Sequence, residues 1–211
     1  MIMTKMYEPP LIDETEVLRY AGYKFKKEEE IDTETRSLLD ACLKELEGKL
    51  EYKVCYRELP TALEGDICDF GFFQVTSKQL ARHLSGCSRV IVFAATLGVG
   101  IDRLIAKYSS LSPAKALMFQ AIGAERIEAV CDAFCGEVLE LLGAAPASEG
   151  EGNEKSICKL PRFSPGYGDL PLATQKDIFA VLECEKKIGL TLNSSLLMSP
   201  SKSVTAFVGI K

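Results

Sequence analysis

The 211-residue sequence predicts a single α+β domain, in which a mainly antiparallel twisted sheet is covered by helices. Three observations support this fold class. Residues 89–95 are almost wholly apolar, as in a central strand. A helical pattern then runs from residue 113 to about residue 142. The other strands follow one another too closely for crossover helices, so we expect antiparallel pairing, with the helices on one side.

Composition and charge limit the classes of function. A hydrophobic fraction of 47% and a charged fraction of 26% are ordinary for a globular protein. The net charge of −5 argues against a nucleic-acid partner and against a basic membrane-surface protein. No apolar run reaches the ~20 residues of a membrane helix, and residues 1–11 lack a signal-peptide core. We therefore expect a cytoplasmic protein that meets small molecules or other proteins, with no membrane partner.

The eight cysteines and the one histidine restrict metal and nucleophile chemistry. No CxxC pair occurs, and a cytosolic chain keeps its thiols reduced. Cys131 and Cys135 have the spacing of one helix face, but two thiolates without a nearby histidine make a poor metal site. His83 is the single histidine, which removes the usual material of a His-dependent triad. We expect structural cysteines, no metal site and no catalytic residue.

The first half of the chain is predicted to contain two helices, two strands and a third, short helix, at about 14–20, 33–50, 51–59, 67–75 and 76–84. Asp13 and Asp32 precede the first two helices and can cap them. Tyr52, Val54 and Tyr56 alternate on one face, so we expect that strand to be half open to solvent.

A glycine-rich turn, Thr-Leu-Gly-Val-Gly at 96–100, links the apolar strand to a helix at about 101–108. Its GxG is half of a dinucleotide fingerprint, but Arg103 holds the place of the third glycine. A tight strand-to-helix turn is therefore favoured. An enzyme that binds phosphate at Gly98 is the alternative.

The long helix carries one cation among apolar side chains, Arg126. A buried guanidinium needs an anionic or hydrogen-bonding partner. Two interpretations stay open here: an intramolecular ion pair, or a charge that lines a pocket. After a predicted mobile loop at 143–155, the sequence predicts a last helix at 172–188, a loop at 191–200 and a closing strand at 203–210.

Residues 162–167, Arg-Phe-Ser-Pro-Gly-Tyr, form the most locally constrained stretch. Pro165 restricts φ to about −65° and Gly166 permits positive φ, which suits the centre of a type II turn. The turn would bring Arg162 and Tyr167 together, and its exposed backbone would let a ligand approach. The stretch is either an ordinary Pro-Gly turn or a clamp for a small molecule.

This stretch resembles the Arg-x-x-Pro-Gly-Tyr motif of the activation (reactivation) domain of cobalamin (vitamin B12)-dependent methionine synthase. The resemblance continues through Glu-Lys-Lys-Ile-Gly-Leu at 185–190 and the segments 192–200 and 203–205. It also includes the strand, glycine-rich turn and long helix upstream. Residues 89–211 match well and residues 1–88 loosely, so the resemblance implies one activation-domain-like unit over 1–211, of a free-standing short form.

The resemblance implies a component that binds S-adenosylmethionine and supports reductive methylation of cob(II)alamin in a corrinoid methyltransferase such as methionine synthase. It would act in trans on cobalamin carried by the partner's cobalamin-binding module, with flavodoxin or a ferredoxin-like reductant, and would not turn over alone. By the family motif, Arg162 meets the ligand's carboxylate. Backbone near Ser164 and Gly166 contacts the ligand, Tyr167 lies beside it, and Arg126 lies near the site.

The sequence departs from the family in one contact. The family's large form has an acidic residue, in an aromatic-rich N-terminal segment, that helps to hold the ligand's amino group, and no such segment is found here. The alternative function is therefore a non-catalytic docking module for a corrinoid protein that no longer binds S-adenosylmethionine.

Overall fold

A computed structural model describes residues 1–23, 31–141 and 162–210. Its strands are β1 (Met3–Met6), β2 (Lys53–Pro60), β3 (Ala62–Glu64), β4 (Ile67–Asp69), β5 (Gln74–Thr76), β6 (Arg89–Thr96), β7 (Thr191–Leu192), β8 (Met198–Ser199) and β9 (Ser203–Ile210). Its α-helices are α1 (Glu14–Tyr20), α2 (Thr33–Leu46), α3 (Lys78–His83), α4 (Gly100–Leu111), α5 (Pro113–Leu141), α6 (Gln175–Leu182) and α7 (Cys184–Ile188). A short 3-10 helix, Leu172–Thr174, precedes α6.

The main sheet has four antiparallel strands in the order β1-β2-β6-β9. Strand β6 pairs along its whole length with β2 on one side and β9 on the other. All its residues after Arg89 are buried, which confirms the predicted central strand. Strands β3–β5 form a separate antiparallel sheet, and β7 pairs with β8. The predicted α+β class, antiparallel pairing and long helix are confirmed.

Helices cover both faces of the main sheet, so the expectation of helices on one side was wrong. The face against α5 packs Val54, Phe93, Val208, Ile127 and Phe134. The opposite face packs against α3, α6 and α7 through Cys55, Val92, Phe207, Leu80, Ile178 and Cys184. Because neighbouring residues of a strand face opposite sides, β6 must be apolar throughout to be buried on both.

A second layer of helices packs on the outer side of α5. Val17 of α1, Leu39 of α2 and Leu104 of α4 meet Phe119 and Ile122 of α5. Helix α5 is thus apolar towards the sheet and, in its first half, towards the other helices. This double burial holds α5 rigidly between two layers.

The structure corrects several predicted boundaries. Residues 3–6, for which no strand was predicted, form an edge strand on β2. Strand β2 is buried on both faces at Val54 and Cys55, not half open, because it lies inside the sheet. The predicted strand at 67–75 is two strands, since the chain reverses at Gly71, where φ is +75°. The last helix is broken at Glu183, which is left-handed.

The structure also shows where helix α2 ends and which residues cap α1 and α2. Helix α2 ends at Leu46, earlier than predicted. Asp13 and Asp32 accept hydrogen bonds from the backbone of Glu16 and Thr35, so both predicted caps are confirmed.

The glycine-rich turn is a structural turn. A Cβ on Gly100 would lie 1.9 Å from the carbonyl oxygen of Lys49, and one on Gly98 would meet the side chain of Glu51 at 3.1 Å. Both glycines are therefore required by the close approach of the segment before β2. This confirms the tight strand-to-helix turn that the sequence favoured.

Some expectations fall on residues outside the described ranges, namely the loop at 143–155, Leu142 and Cys158. Among the residues that the structure does describe, no helix combines the length and apolar character needed to cross a bilayer.

Candidate functional site

The stretch 162–167 forms the predicted type II turn. The backbone N–H of Tyr167 donates to the carbonyl oxygen of Ser164 at 3.1 Å, and Gly166 has φ +90°. Pro165 and Gly166 thus occupy the two central positions of the turn. The glycine is needed there because a side chain is strained at positive φ.

The turn is joined to the free edge of the main sheet. Phe163 and Phe207 exchange two backbone hydrogen bonds, of 3.0 and 2.9 Å, so the turn extends the sheet beyond β9 by one residue. The side chain of Phe163 packs against the core on the α6 side of the sheet. Its neighbour Arg162 faces the other way, towards α5. Sheet pairing therefore directs Arg162 towards the carboxylates of α5.

Asp169 anchors the downstream end of the turn to α3. Its carboxylate accepts from the Ser77 hydroxyl and from the backbone N–H groups of Lys78 and Gln79. The hydrogen bond from Ser77, followed by those from the backbone, lowers the pKa of Asp169 below its ordinary value. The ionised carboxylate caps α3 and ties the turn to it.

We expect this anchor to make stability fall at acid pH. A carboxyl group whose pKa is lower in the folded than in the unfolded state stabilises the folded protein at pH values above its unfolded pKa, which is about 3.9 for Asp. This stabilisation is lost as the pH falls through the folded pKa. Thermal unfolding of the wild type between pH 6 and pH 2 should show this loss, and Asp169→Asn should make the fall in stability less steep. Asp40→Asn, which removes an exposed carboxylate of α2, serves as the control. A pH profile of Asp169→Asn that parallels the wild type would contradict the anchor.

A groove of about 430 Å³ lies beside the turn. Its lining includes Arg162, Ser164 and Tyr167 from the turn, Glu128 of α5, Gln175 of α6 and Thr205 of β9. We call it the Arg162 groove. The structure therefore brings three of the predicted site residues, Arg162, Ser164 and Tyr167, to one concave surface. Gly166 lies in the same turn and leaves its backbone exposed.

The guanidinium of Arg162 is held by two acidic residues of α5. Its Nη2 lies 2.6 Å from Oε2 of Glu128 and 3.0 Å from Oδ1 of Asp132, and its side chain is 18% exposed. Burial opposes the charge, but the neighbouring carboxylates of Glu128 and Asp132 outweigh it and raise the pKa of Arg162. The guanidinium is therefore charged and oriented before any ligand arrives.

Unsatisfied polar atoms concentrate at this groove. Within the described part of the chain, the buried side-chain N and O atoms that lack a hydrogen-bond partner include Nη1 of Arg162, Oε1 of Gln175 and Oγ1 of Thr205. Gln175 is 6% exposed and Thr205 is 2% exposed. Leaving a buried polar atom unpaired costs about 1–3 kcal/mol, so a native protein keeps few of them. One donor and two acceptors beside one groove indicate a binding site for a polar ligand.

Arg126 lies elsewhere. Its side chain is 4% exposed and pairs with Glu125, and its Nη atoms donate to the carbonyl oxygens of Pro10 and Leu11. Burial works against its charge, but Glu125 more than compensates and raises the pKa of Arg126. The structure shows the intramolecular ion pair, and Arg126 also borders a separate cavity of about 290 Å³ beside α2. Arg126 does not line the Arg162 groove, so a part in ligand binding stays a prediction.

Sequence reasoning missed four residues of this groove and its rim. Glu128 and Asp132 were detectable as an acidic pair spaced by one helical turn in an apolar helix. Thr205 is a polar residue at an inward position of an apolar strand. Gln175 gives no signal in sequence, because its burial depends on how α6 packs against the sheet.

Cys131 and Cys135 take the structural role that the sequence predicted for them. Cys131 and Cys135 pack against the sheet with Phe134, and burial raises the pKa of Cys135 to about 11. Over residues 1–23, 31–141 and 162–210, no group of three or more His, Cys, Asp and Glu side chains could hold a metal ion. His83 packs its ring on Phe163, behind the turn, with the ring centroids 5.4 Å apart.

Comparisons with known proteins agree with this architecture. The fold matches the crystal structure of the MetH reactivation domain bound to AdoHcy, with a TM-score of 0.78 and 19% sequence identity, over 99% of this chain and 78% of that chain. At this identity the likeness establishes the fold. No curated protein matched the sequence. Residues 77–210 match the family described as "Vitamin B12 dependent methionine synthase, activation domain". That match includes the whole Arg162 turn, α5, α6 and β9, and the chain therefore belongs to the methionine synthase activation-domain family.

Proposed function

We propose that this protein binds S-adenosylmethionine in the Arg162 groove and acts as the activation component of a corrinoid methyltransferase. The observation that carries the proposal is the unpaired buried donor of Arg162 beside the unpaired acceptors of Gln175 and Thr205. A free amino-acid group needs both, because its carboxylate accepts hydrogen bonds and its ammonium donates them. The methionyl end of S-adenosylmethionine is such a group.

The residues present fit this ligand. Nη1 of Arg162 would donate to the ligand's carboxylate, a charge-assisted hydrogen bond in a largely buried setting. Oε1 of Gln175 and Oγ1 of Thr205 would accept from its ammonium. They offer a replacement for the acidic N-terminal contact of the family's large form. Backbone around Ser164 and Gly166 would meet the ligand where no Cβ intervenes.

Tyr167 would lie beside the ligand at the mouth of the groove. It is 69% exposed, and Leu172, which lies beside Gly166 of the turn, is also exposed. Exposed apolar side chains beside a groove are typical of a surface that a protein partner covers. The groove would therefore close only when the partner docks. Tyr167 thus borders both the ligand and the surface that would receive the partner.

Arg126 would contribute indirectly. It holds the carbonyl groups of Pro10 and Leu11, and those two residues border a second groove of about 880 Å³ that runs along α5 and also includes Glu128 and Asp132. We call this the α5 groove. Arg126 would therefore position the N-terminal segment beside the acidic residues that hold Arg162.

The reaction would take place on a partner. S-adenosylmethionine supplies a methyl group, which, with one electron from flavodoxin or a ferredoxin-like protein, converts the partner's cob(II)alamin to methylcobalamin and leaves S-adenosylhomocysteine. Acting in trans, this chain would bind and orient the methyl donor and present it to the cobalamin-binding module of methionine synthase or another corrinoid protein. None of its side chains is required to transfer a proton.

Calorimetric titration of S-adenosylmethionine into the wild-type protein tests the proposal. We expect saturable binding at one site, and weaker binding after Tyr167→Ala, because the aromatic ring at the mouth is lost. The titration is repeated with a corrinoid partner present, since docking completes the surface. Absence of binding in both conditions would overturn the proposal and leave the docking module that does not bind S-adenosylmethionine.

A further inference from the structure

The segment that joins the Arg162 turn to α6 has residues of the proposed site at both of its ends. Ser164 and Tyr167 line the Arg162 groove on the upstream side, and Gln175 lines it on the downstream side. Residues 168–174 lie between them, and we call these residues the connecting segment. The placement of this segment therefore affects how the two ends of the site lie relative to each other.

The connecting segment is tied to α3 by the carboxylate of Asp169. Most residues of the segment are exposed, so burial does little to fix it. The carboxylate accepts hydrogen bonds from the Ser77 hydroxyl and from the backbone N–H groups of Lys78 and Gln79, the latter two at 2.8 and 3.2 Å. The backbone hydrogen bonds at 166–170, by contrast, stay within the turn. Asp169 therefore connects the segment to a different element of the fold.

Helix α3 also packs closely against the chain on both sides of the Pro-Gly turn. A Cβ on Gly168 would lie 2.1 Å from Oε1 of Gln79, so a glycine is needed where the segment passes α3. Before the turn, the ring of His83 packs on that of Phe163. The turn is therefore supported by α3 at two points, and the carboxylate of Asp169 is the polar contact at the second.

The support for Asp169 is itself part of the core. Ser77 is 1% exposed, and its Oγ accepts from the backbone N–H of Leu80 while its hydroxyl donates to Asp169. Leu80 and Ala81 of α3 pack in the core on the α6 side of the main sheet. Asp169 thus joins an exposed segment to a helix that is held in place by packing.

We propose that Asp169 is a positioning residue of the ligand site, which holds the Arg162 turn and Gln175 in the arrangement that binds S-adenosylmethionine. The inference rests on the proposed function and adds to it a residue that does not line the groove. Without the anchor, the connecting segment would adopt other placements, and only a fraction of the molecules would present the complete site. The apparent dissociation constant would rise by the inverse of that fraction.

Calorimetric titration of S-adenosylmethionine into the wild type, Asp169→Asn and Ser77→Ala tests the inference, at a temperature where all three are folded. We expect each variant to bind about threefold to tenfold more weakly than the wild type, as when the site is complete in about a third to a tenth of the molecules. The double variant should bind no more weakly than the weaker single variant, because both substitutions break the same contact.

Asp32→Asn is the matched control. Asp32 is also an exposed carboxylate that caps a helix, and it accepts from the hydroxyl and the backbone N–H of Thr35 at 2.7 and 2.8 Å. It does not line the Arg162 groove. This variant loses hydrogen bonds of the same kind, so it should lower the thermal stability and leave the affinity for S-adenosylmethionine unchanged.

The order of the turn can be measured without any ligand. Chymotrypsin cleaves after aromatic residues, and Tyr167 is 69% exposed. Because proteolysis of a folded protein depends on local opening, we expect faster cleavage after Tyr167 in Asp169→Asn than in Asp32→Asn, with the products identified by mass spectrometry.

The outcomes separate this inference from the proposed function. Wild-type affinity in Asp169→Asn would overturn the inference alone, whatever the cleavage rate. Equal cleavage after Tyr167 in Asp169→Asn and Asp32→Asn would also overturn it, since the turn would then not depend on the anchor. Failure of the wild type to bind S-adenosylmethionine would overturn the proposed function and the inference with it.

Discussion

Replacing Arg162 by alanine is expected to abolish measurable binding of S-adenosylmethionine or to weaken it at least about 30-fold. Removing one partner of a buried, hydrogen-bonded charge pair costs about 2–5 kcal/mol of binding free energy. In this case the substitution also leaves Glu128 and Asp132 without their cation, so the groove would repel the ligand's carboxylate. Calorimetric titration of the variant and the wild type in the same buffer measures the loss.

Two matched variants make the Arg162 result specific. Arg162→Lys keeps the positive charge but loses the planar fork, so we expect intermediate affinity. Arg82→Ala removes an exposed arginine of α3 and should bind as the wild type does. Near-wild-type affinity in a folded Arg162→Ala protein would contradict the assignment of the carboxylate to this side chain.

Replacing Arg126 by methionine is expected to lower the free energy of unfolding by about 3–5 kcal/mol, because it leaves an uncompensated carboxylate in the interior. Glu125 is 6% exposed, and its remaining hydrogen bond comes from the backbone N–H of Asp13 at 3.1 Å. The carbonyl groups of Pro10 and Leu11 lose their donors as well. Denaturant titration, extrapolated to water, measures the change.

A double-variant cycle shows whether the pair is the cause. Glu125→Gln combined with Arg126→Met removes both charges, so we expect it to lose less stability than the sum of the two single variants. Arg36→Met breaks an exposed ion pair with Glu14 and should cost far less. Additive losses in the cycle, or an Arg126→Met loss no larger than that of Arg36→Met, would contradict the buried pair.

The type II turn is an example of structure that is determined locally. Pro165 and Gly166 have backbone preferences that need no partner, and the turn forms where the sequence predicts it. The same is true of the caps at Asp13 and Asp32 and of the long helix that begins at Pro113. In each case the determining contact lies within a few residues along the chain.

The predictions that were wrong concern features that depend on contacts between residues far apart in the chain. A left-handed Glu183 breaks a helical pattern that continues through it, and β1 forms only because β2 offers it an edge. The burial of Cys55 on the second face of β2 depends on helices that occur more than 100 residues later. Local propensity carries no information on any of these.

The candidate site divides in the same way. The sequence by itself determined the Arg162 turn, its family resemblance and the apolar stripe of α5, because each is a short-range pattern. Only the tertiary structure decided what faces Arg162. The pairing of Phe163 with β9 turns the guanidinium towards Glu128 and Asp132, and the packing of α6 and β9 buries Gln175 and Thr205 beside it. These contacts join residues 30 or more positions apart, and hydrogen bonding and burial at such separations depend on how the layers pack, not on the identity of any one residue.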